Sequence, residues 1–411
     1  MRKSVPIVIS LIMLMLAGAT LALSDNDKKK NDELYRQVEL FSDTLAIIQR
    51  EYVDDTKPKD LIYGSLKGMI SSLDPHSQFM DPDTYNELKV DTEGKFGGLG
   101  IEITIKNSLL TVITPIEDTP AWKAGIKAND HIVKINGELT REMTLTDAVK
   151  KMRGSPGESV NLTVLRDAEN KLLDFKITRA IIKIKDIKRA LILEDGIGYI
   201  RLTEFRENTL QEFNNALGNL SKQRMNALII DLRNNPGGLL DVAVKITGKF
   251  IQPNKMIVYT KGRGKNQDLK FYSDAKNTIL DLPLVVLINE GSASGSEIVA
   301  GALQDYKRAI IIGTKSFGKG SVQTVIPLGD GSGLRLTTSR YFTPSGKVIH
   351  GKGVTPDIVI EEKAESNNKN EELKPVENQF NYKTDLQLMR AVDALKAIKI
   401  YKEAKQENRS G

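Results

Sequence analysis

The chain has 411 residues, 40% hydrophobic and 27% charged, which is room for two or three domains of ordinary globular composition. That balance argues against wholesale disorder and against a polytopic membrane protein, and a net charge of +6 is too small to mark a nucleic-acid binder. There is no Cys, and the three His (His76, His131, His350) lie far apart. Cys nucleophiles, disulfides and clustered metal sites are therefore not expected, and hydrolytic chemistry must rest on Ser, Thr, Lys, Asp or Glu.

Arg2 and Lys3 precede an uncharged apolar run over 4–24, and Asp25 opens a charged patch. Residues 1–24 read as a signal peptide or as a membrane anchor, since the run is just long enough to span a ~30 Å bilayer core. Either way the rest of the chain is exported, to the periplasm or the outer face of the cytoplasmic membrane. Residues 31–90 read as helical: Val38, Phe41, Leu45 and Ile48 share one face, and a second apolar-periodic stretch, Leu61 to Leu73, stops at Asp74-Pro75. Residues 95–180 turn β-rich, with strands expected at Ile101–Ile105, Leu109–Ile113, His131–Ile135, Val160–Leu165 and Leu173–Ile177. Short helices are expected at Pro120–Gly125 and Thr146–Arg153.

Residues 181–360 alternate strand and helix. Strands are expected at Ile197–Leu202, Ala227–Leu232, Leu284–Ile288 and Ala309–Gly313, and helices near 208–220, 239–251 and 294–307. Short apolar runs between helices imply a buried, partly parallel sheet and an α/β multidomain fold. The polar stretch 361–381 reads as a linker, and 382–405 as a final helix with Leu388, Val392 and Leu395 on one face.

Phe96-Gly97-Gly98-Leu99-Gly100-Ile101 opens the second region, followed by Asp118-Thr119-Pro120-Ala121-Trp122-Lys123-Ala124-Gly125 and by Asp130-His131-Ile132-Val133-Lys134-Ile135-Asn136-Gly137. This succession resembles a bacterial PDZ domain over 95–180. Glycines expose backbone N–H groups that can hold a terminal carboxylate, and the next strand edge can pair with the peptide. The resemblance places the carboxylate loop at Gly98, Leu99, Gly100 and Ile101.

Three expected loops follow three expected strands. One carries Ser292-Ala293-Ser294-Gly295-Ser296-Glu297 at the start of a helix. One carries Phe317-Gly318-Lys319-Gly320, and one Arg233-Asn234-Asn235-Pro236-Gly237-Gly238. In a parallel sheet such loops converge at one edge. A Ser at a helix N-terminus meets free N–H groups suited to a developing oxyanion, although a Ser-rich turn also simply caps helices.

Together the three motifs resemble the carboxy-terminal processing peptidases, a family of Ser–Lys serine proteases, over about residues 35–400. The resemblance implies a crotonase/ClpP-like α/β protease core with a PDZ domain and terminal helical segments. It implies Ser294 as nucleophile, Lys319 as general base and Gln323 as the residue orienting that Lys. The oxyanion donors are implied at Gly295, where the family more often has Ala, and at Gly237 or Gly238. No metal or cofactor is implied. Partners are protein or peptide substrates with exposed C-termini, and pairing of two copies through the terminal helices follows by analogy. Asp305 is expected to support structure. Arg153 reads equally as a PDZ-to-core contact and as a solvated turn residue.

A free Lys titrates near ~10.4, whereas a useful base titrates at about 7–8. The site must therefore destabilise the ammonium by ~4 kcal/mol, by burial and the lack of a counter-ion; Phe317 and the flanking glycines are expected to dry the pocket. Other readings fit less well. Gly313 to Lys319 approximates a phosphate-binding loop, but Gly320 stands where Ser or Thr is needed, and the following residues alternate as a strand. A Ser–His–Asp site using His350 lacks its nucleophile elbow, because Gly291 lies three residues before Ser294. The non-enzymatic alternative, a catalytically inactive PDZ adaptor or chaperone, leaves the coincidence of three loops unexplained.

Overall fold

The computed structural model describes residues 32–166, 171–274, 278–361 and 380–410. The apolar run 4–24 and nearly all of the expected linker lie outside these residues. The chain divides into two compact units, one ending at Asp81 and one beginning at Pro82. The first has a helix over 32–51, the helix Pro58–Ser71 and the short strand Gln78–Met80. Pro58 opens the second helix, where its missing N–H costs nothing. Tyr63 meets the buried Phe79 edge to face, with ring centroids 4.9 Å apart.

In the second unit, the PDZ-type segment is an antiparallel sheet in spatial order Ile101–Lys106, Leu109–Pro115, His131–Ile135, Ser159–Arg166 and Lys171–Thr178. Alternation along Ser159–Arg166 buries Val160, Leu162 and Val164 in one apolar core. The helix Leu145–Met152 begins with a reciprocal cap between Thr144 and Asp147. Arg166 pairs with the buried Asp130 carboxylate at 2.7 Å and closes one end of this segment.

The larger core is a six-stranded sheet. Ile187–Ile192 runs antiparallel to Ile197–Leu202; Ala227–Asp231, Leu284–Ile288, Ile310–Gly313 and Ile358–Val359 then follow in parallel. Ala227–Asp231 and Leu284–Ile288 are buried at every position, because both faces are covered. On one face Ile200, Leu228, Ile230 and Val286 pack with side chains of the helices Thr209–Lys222, Leu240–Gly248 and Gly295–Asp305. On the other, Tyr199, Ile229, Val285 and Leu287 meet Leu388, Val392 and Leu395 of the C-terminal helix Leu386–Ser410. A second sheet joins Ser321–Pro327, Gly333–Phe342, Met256–Gly262 and Lys270–Tyr272. Apart from the strand character after Gly320, sequence periodicity did not reveal this sheet.

A polar cluster ties the C-terminal helix to the sheet. Asp231 is fully buried and accepts from Arg233 at 2.7 and 3.0 Å, from Arg201 and from the Tyr199 hydroxyl. Arg233 reaches onward to Asp385 at 2.6 and 2.9 Å and to Gln387 at 3.1 Å. Burial alone pushes the Asp231 carboxyl up, but the Arg233 hydrogen bonds and the Arg charges outweigh it and hold it below the usual carboxylate range.

Arg233→Ala removes the main partner of a buried charge and is expected to cost ~3–5 kcal/mol, read by chemical denaturation at pH 7. A lowered carboxylate pKa stabilises the fold above the unfolded value of about 3.9 and ceases to do so as pH falls through the folded value. The difference between wild type and variant should therefore shrink below about pH 4.

Candidate active site

The loops after Ala227–Asp231, Leu284–Ile288 and Ile310–Gly313 leave three adjacent parallel strands at the same edge, as the sequence spacing implied. Ser294 caps the helix Gly295–Asp305 with φ 52° and ψ −110°. A non-glycine residue held at positive φ stores strain that only its surroundings can maintain.

The Glu297 carboxylate supplies much of that support. Its Oε2 accepts the backbone N–H of Ser294 and the backbone N–H of Lys319, both at 2.9 Å. Its Oε1 accepts the Ser316 hydroxyl and the Gly318 N–H, both at 2.6 Å. Two nitrogens sharing one oxygen stand no more than ~6 Å apart, so one side chain holds the Ser294 and Lys319 backbones together. Burial pushes the Glu297 carboxyl up, against the pull of these donors.

Lys319 is half-buried, and among the described residues its Nζ has no hydrogen bond or ion pair. Burial lowers its pKa first and the Arg335 charge lowers it further, while Glu297 opposes them. This is the direction a lysine base requires. Phe317 does not dry the site: it is 62% exposed, because Ser316 and Gly318 on either side both turn inward to Glu297. Gln323 lies in the strand Ser321–Pro327 and donates to the Ser321 hydroxyl at 2.9 Å. Among the described residues no hydrogen bond joins it to Lys319.

The glycine loop is pinned by Asn235, whose side chain is fully buried. It donates to the Leu202 carbonyl and accepts the Gly237 N–H, both at 2.9 Å. The Asn235 carbonyl accepts the Ala293 N–H at 3.0 Å and the Ser296 hydroxyl at 2.9 Å. Gly237 has φ +104°, and a Cβ there would stand 2.6 Å from the Ser294 Cβ. Its N–H being committed to Asn235, it is Gly238 and Gly295 whose N–H groups have no acceptor among the described residues. Asn289 braces the same corner: it accepts the Asn234 N–H at 2.8 Å and donates to the Asn234 side chain at 2.9 Å.

In the PDZ-type segment, Gly98 pairs with Ala180, Leu99 is buried, and Gly100 has φ +79°. The Leu99 carbonyl accepts the Ala121 N–H, and the Gly100 carbonyl accepts the Ile116 N–H and the Thr119 hydroxyl. Among the described residues the N–H groups of Leu99 and Gly100 have no acceptor. Ile101 begins the strand at the sheet edge, beside the helix Leu145–Met152. This arrangement suits a carboxylate and an added strand.

Other singled-out residues take lesser places. Asp305 accepts the Ser345 N–H at 2.9 Å and pairs with Lys347 at 2.9 Å, which braces a turn. Arg153 stacks over the Phe96 ring at 4.5 Å, a contact within the PDZ-type segment and not with the protease core. His350 backs onto Gly320, and among the described residues no hydrogen bond joins it to Ser294. A strand, Ser321–Pro327, follows Lys319 and not a helix, which removes the phosphate-loop reading. Of the residues that sequence reasoning missed, Glu297 carried a signal, since Ser-x-x-Glu is a helix-capping pattern. Asn235 stood within the Arg233–Gly238 motif without a role of its own, and Asn289 carried no signal.

Residues 196–360 match the peptidase family S41, residues 111–166 a PDZ domain, and residues 15–84 the N-terminal domain of the activating protease CtpB. The chain is 45% identical to a carboxy-terminal-processing protease of Bartonella bacilliformis, over 84% of this chain and 80% of that one. It is 36% identical to the carboxy-terminal processing protease CtpB of Bacillus subtilis, over 77% of this chain and 66% of that one. The crystal structure of a Bacteroides fragilis protein assigned to the S41 proteases shares the fold, with TM-score 0.51 and 16% identity, over 86% of this chain and 97% of that one.

Glu297→Gln leaves one accepting oxygen where the carboxylate offered two, so backbone donors lose partners. It is expected to cost about 2 kcal/mol in stability and at least about a hundredfold in peptide cleavage, since a displacement near 1 Å suffices for that. Gly237→Ala forces the Ser294 loop aside and should lose a comparable factor in turnover while circular dichroism stays that of the wild type.

Proposed function

Because this chain belongs to peptidase family S41 and is a carboxy-terminal processing serine protease with a PDZ domain, we propose that Ser294 is its nucleophile and Lys319 its general base. The observation that carries this reading is the single Glu297 oxygen that accepts the backbone N–H of both residues. Lys319 Nζ, with its pKa lowered and no counter-ion among the described residues, takes the Ser294 proton. The Ser294 oxygen attacks a peptide carbonyl, and the N–H groups of Gly238 and Gly295 stabilise the oxyanion. The amine product leaves with a proton from Lys319, and water then releases the acyl group. Gln323 steers the Lys319 side chain once substrate is bound.

The substrates are exported proteins, cut near their C-termini. The chain end docks on the N–H groups of Leu99 and Gly100, with Gly98 shaping the loop, and its backbone adds to the edge strand that starts at Ile101. Arg2 and Lys3 ahead of the apolar run 4–24 support an exported location, with that run cleaved or kept as an anchor. Among the described residues no helix is long and apolar enough to cross a membrane. Exposed Val38 and Phe41 on the first helix and Ile400 and Tyr401 on the last support pairing of two copies through these ends.

Ser294→Ala and Lys319→Ala should each abolish cleavage of an unstructured peptide with an apolar C-terminus; retained cleavage in either would overturn the dyad. An ammonium has no lone pair, so kcat/KM should rise with pH along an acid limb whose midpoint lies below the ordinary ~10.4. Amidating the peptide C-terminus should raise KM by about tenfold, the ~1.4 kcal/mol of a lost charged contact. Mass spectrometry of exported proteins should show new C-termini with the wild type that are missing with Ser294→Ala.

A further inference from the structure

Phe205 lies just past the strand Ile197–Leu202, is 1% exposed and forms an isolated parallel bridge with Gly238. Its backbone N–H donates to the Gly237 carbonyl at 2.8 Å, and its carbonyl accepts the Leu239 N–H at 2.7 Å. A Cβ on Gly238 would overlap the Phe205 carbonyl oxygen, so only glycine allows this approach. The Phe205 ring meets the other free donor of the site. A Cβ on Gly295 would stand 3.1 Å from the ring Cδ2 and 3.4 Å from the Cβ of the fully buried Ala243.

Peptide planarity turns these contacts into an aim. In a trans peptide the C=O of one residue and the N–H of the next point in opposite directions. Phe205 draws the Gly237 carbonyl toward itself, so the Gly238 N–H of the same plane points away from Phe205. The Ser294 carbonyl is drawn into the helix Gly295–Asp305, where it accepts the N–H groups of Glu297 and Ile298, both at 3.0 Å. The Gly295 N–H therefore points out of the helix start. The two donors border one spot, since a Cβ on Gly237 would stand 2.7 Å from the Gly295 nitrogen.

Resting on the roles given above to Ser294, Lys319, Gly238 and Gly295, we propose that Phe205 is the positioning residue of the oxyanion site: its main chain aims the Gly238 N–H and its ring seats Gly295. Asn235 does not make it redundant. Two peptide planes flank Gly237, and at a glycine they turn freely against each other. The Asn235 side chain fixes the plane that carries the Gly237 N–H; Phe205 fixes the plane that carries the Gly238 N–H. When the Ser294 oxygen adds to the substrate carbonyl, the π pair moves onto the carbonyl oxygen and meets donors that are already in place.

The first test is Phe205→Val, which keeps the main chain and removes the ring. Here kcat should fall about tenfold, less than the roughly hundredfold or more of a deleted oxyanion donor, with KM little changed. Binding of a peptide aldehyde, which adds to Ser294 and develops the same oxyanion, should weaken by the same factor. The acid limb of kcat/KM should stay in place, because Lys319 is untouched. A ring that served the core alone would lower the melting temperature and leave kcat and aldehyde affinity at wild-type values; that result overturns the proposal, as does a moved limb. Gly295→Ala adds a readout that depends on residue 205. In the wild type its methyl meets the ring and should lower kcat, whereas in Phe205→Val it enters the vacated space and should raise kcat. The same effect in both backgrounds overturns the role of the ring. Should Phe205→Val fail to fold, as judged by circular dichroism, phenyllactate at position 205 carries the test. It keeps the ring and puts an oxygen where the N–H donated to the Gly237 carbonyl, and kcat should again fall about tenfold with the limb unmoved; wild-type kcat overturns the proposal. Activity retained in Ser294→Ala or Lys319→Ala would count against the dyad itself, whereas inactive dyad variants beside a fully active Phe205→Val would sink only the role of Phe205.

Discussion

The site depends on one buried carboxylate that is spent on backbone N–H groups. Glu297 accepts from Ser294, Gly318 and Lys319 main chains and from the Ser316 hydroxyl. Each such charge-assisted bond contributes roughly 1.5–3 kcal/mol, which offsets part of the cost of burying the charge, and together they hold Ser294 at positive φ. The same arrangement bears on Lys319, proposed above as the base. An acid this close to a lysine could have formed an ion pair with it and fixed the ammonium form. Its oxygens are instead filled by amides and a hydroxyl, so its pull on the Lys319 side chain is outweighed by burial and by Arg335. Structure and electrostatics are thereby separated: Glu297 fixes where the loop sits and leaves the amine without an ion-pair partner among the described residues.

The strand and helix order of the larger core was legible because both faces of the sheet are covered. Ala227–Asp231 and Leu284–Ile288 then read as unbroken apolar runs, and the helices between them carry their own period. Leu388, Val392 and Leu395 were legible on the last helix for the same reason. The second sheet was not, since Met256–Gly262 buries its positions without regular alternation and Lys270–Tyr272 is only three residues long. The convergence of the three loops followed from parallel topology, which is a property of order along the chain.

The finer chemistry was less legible, because it depends on where hydrogen-bond donors end up pointing. Gly237 and Gly238 look equivalent in the sequence, yet the Asn235 side chain takes the N–H of only the first. Phe317 looks like cover for a lysine, yet its inward-turned neighbours send it to solvent.

The strut from Arg233 to Asp385 and Gln387 has a temporal side. Asp385 and Gln387 follow Ser294 and Lys319 in the chain, so synthesis delivers both of those loops before it delivers the brace beneath Asn234 to Gly238. A chain still being made holds Ser294 on an unfinished frame. The helix Leu386–Ser410 thus acts as a keystone for that frame.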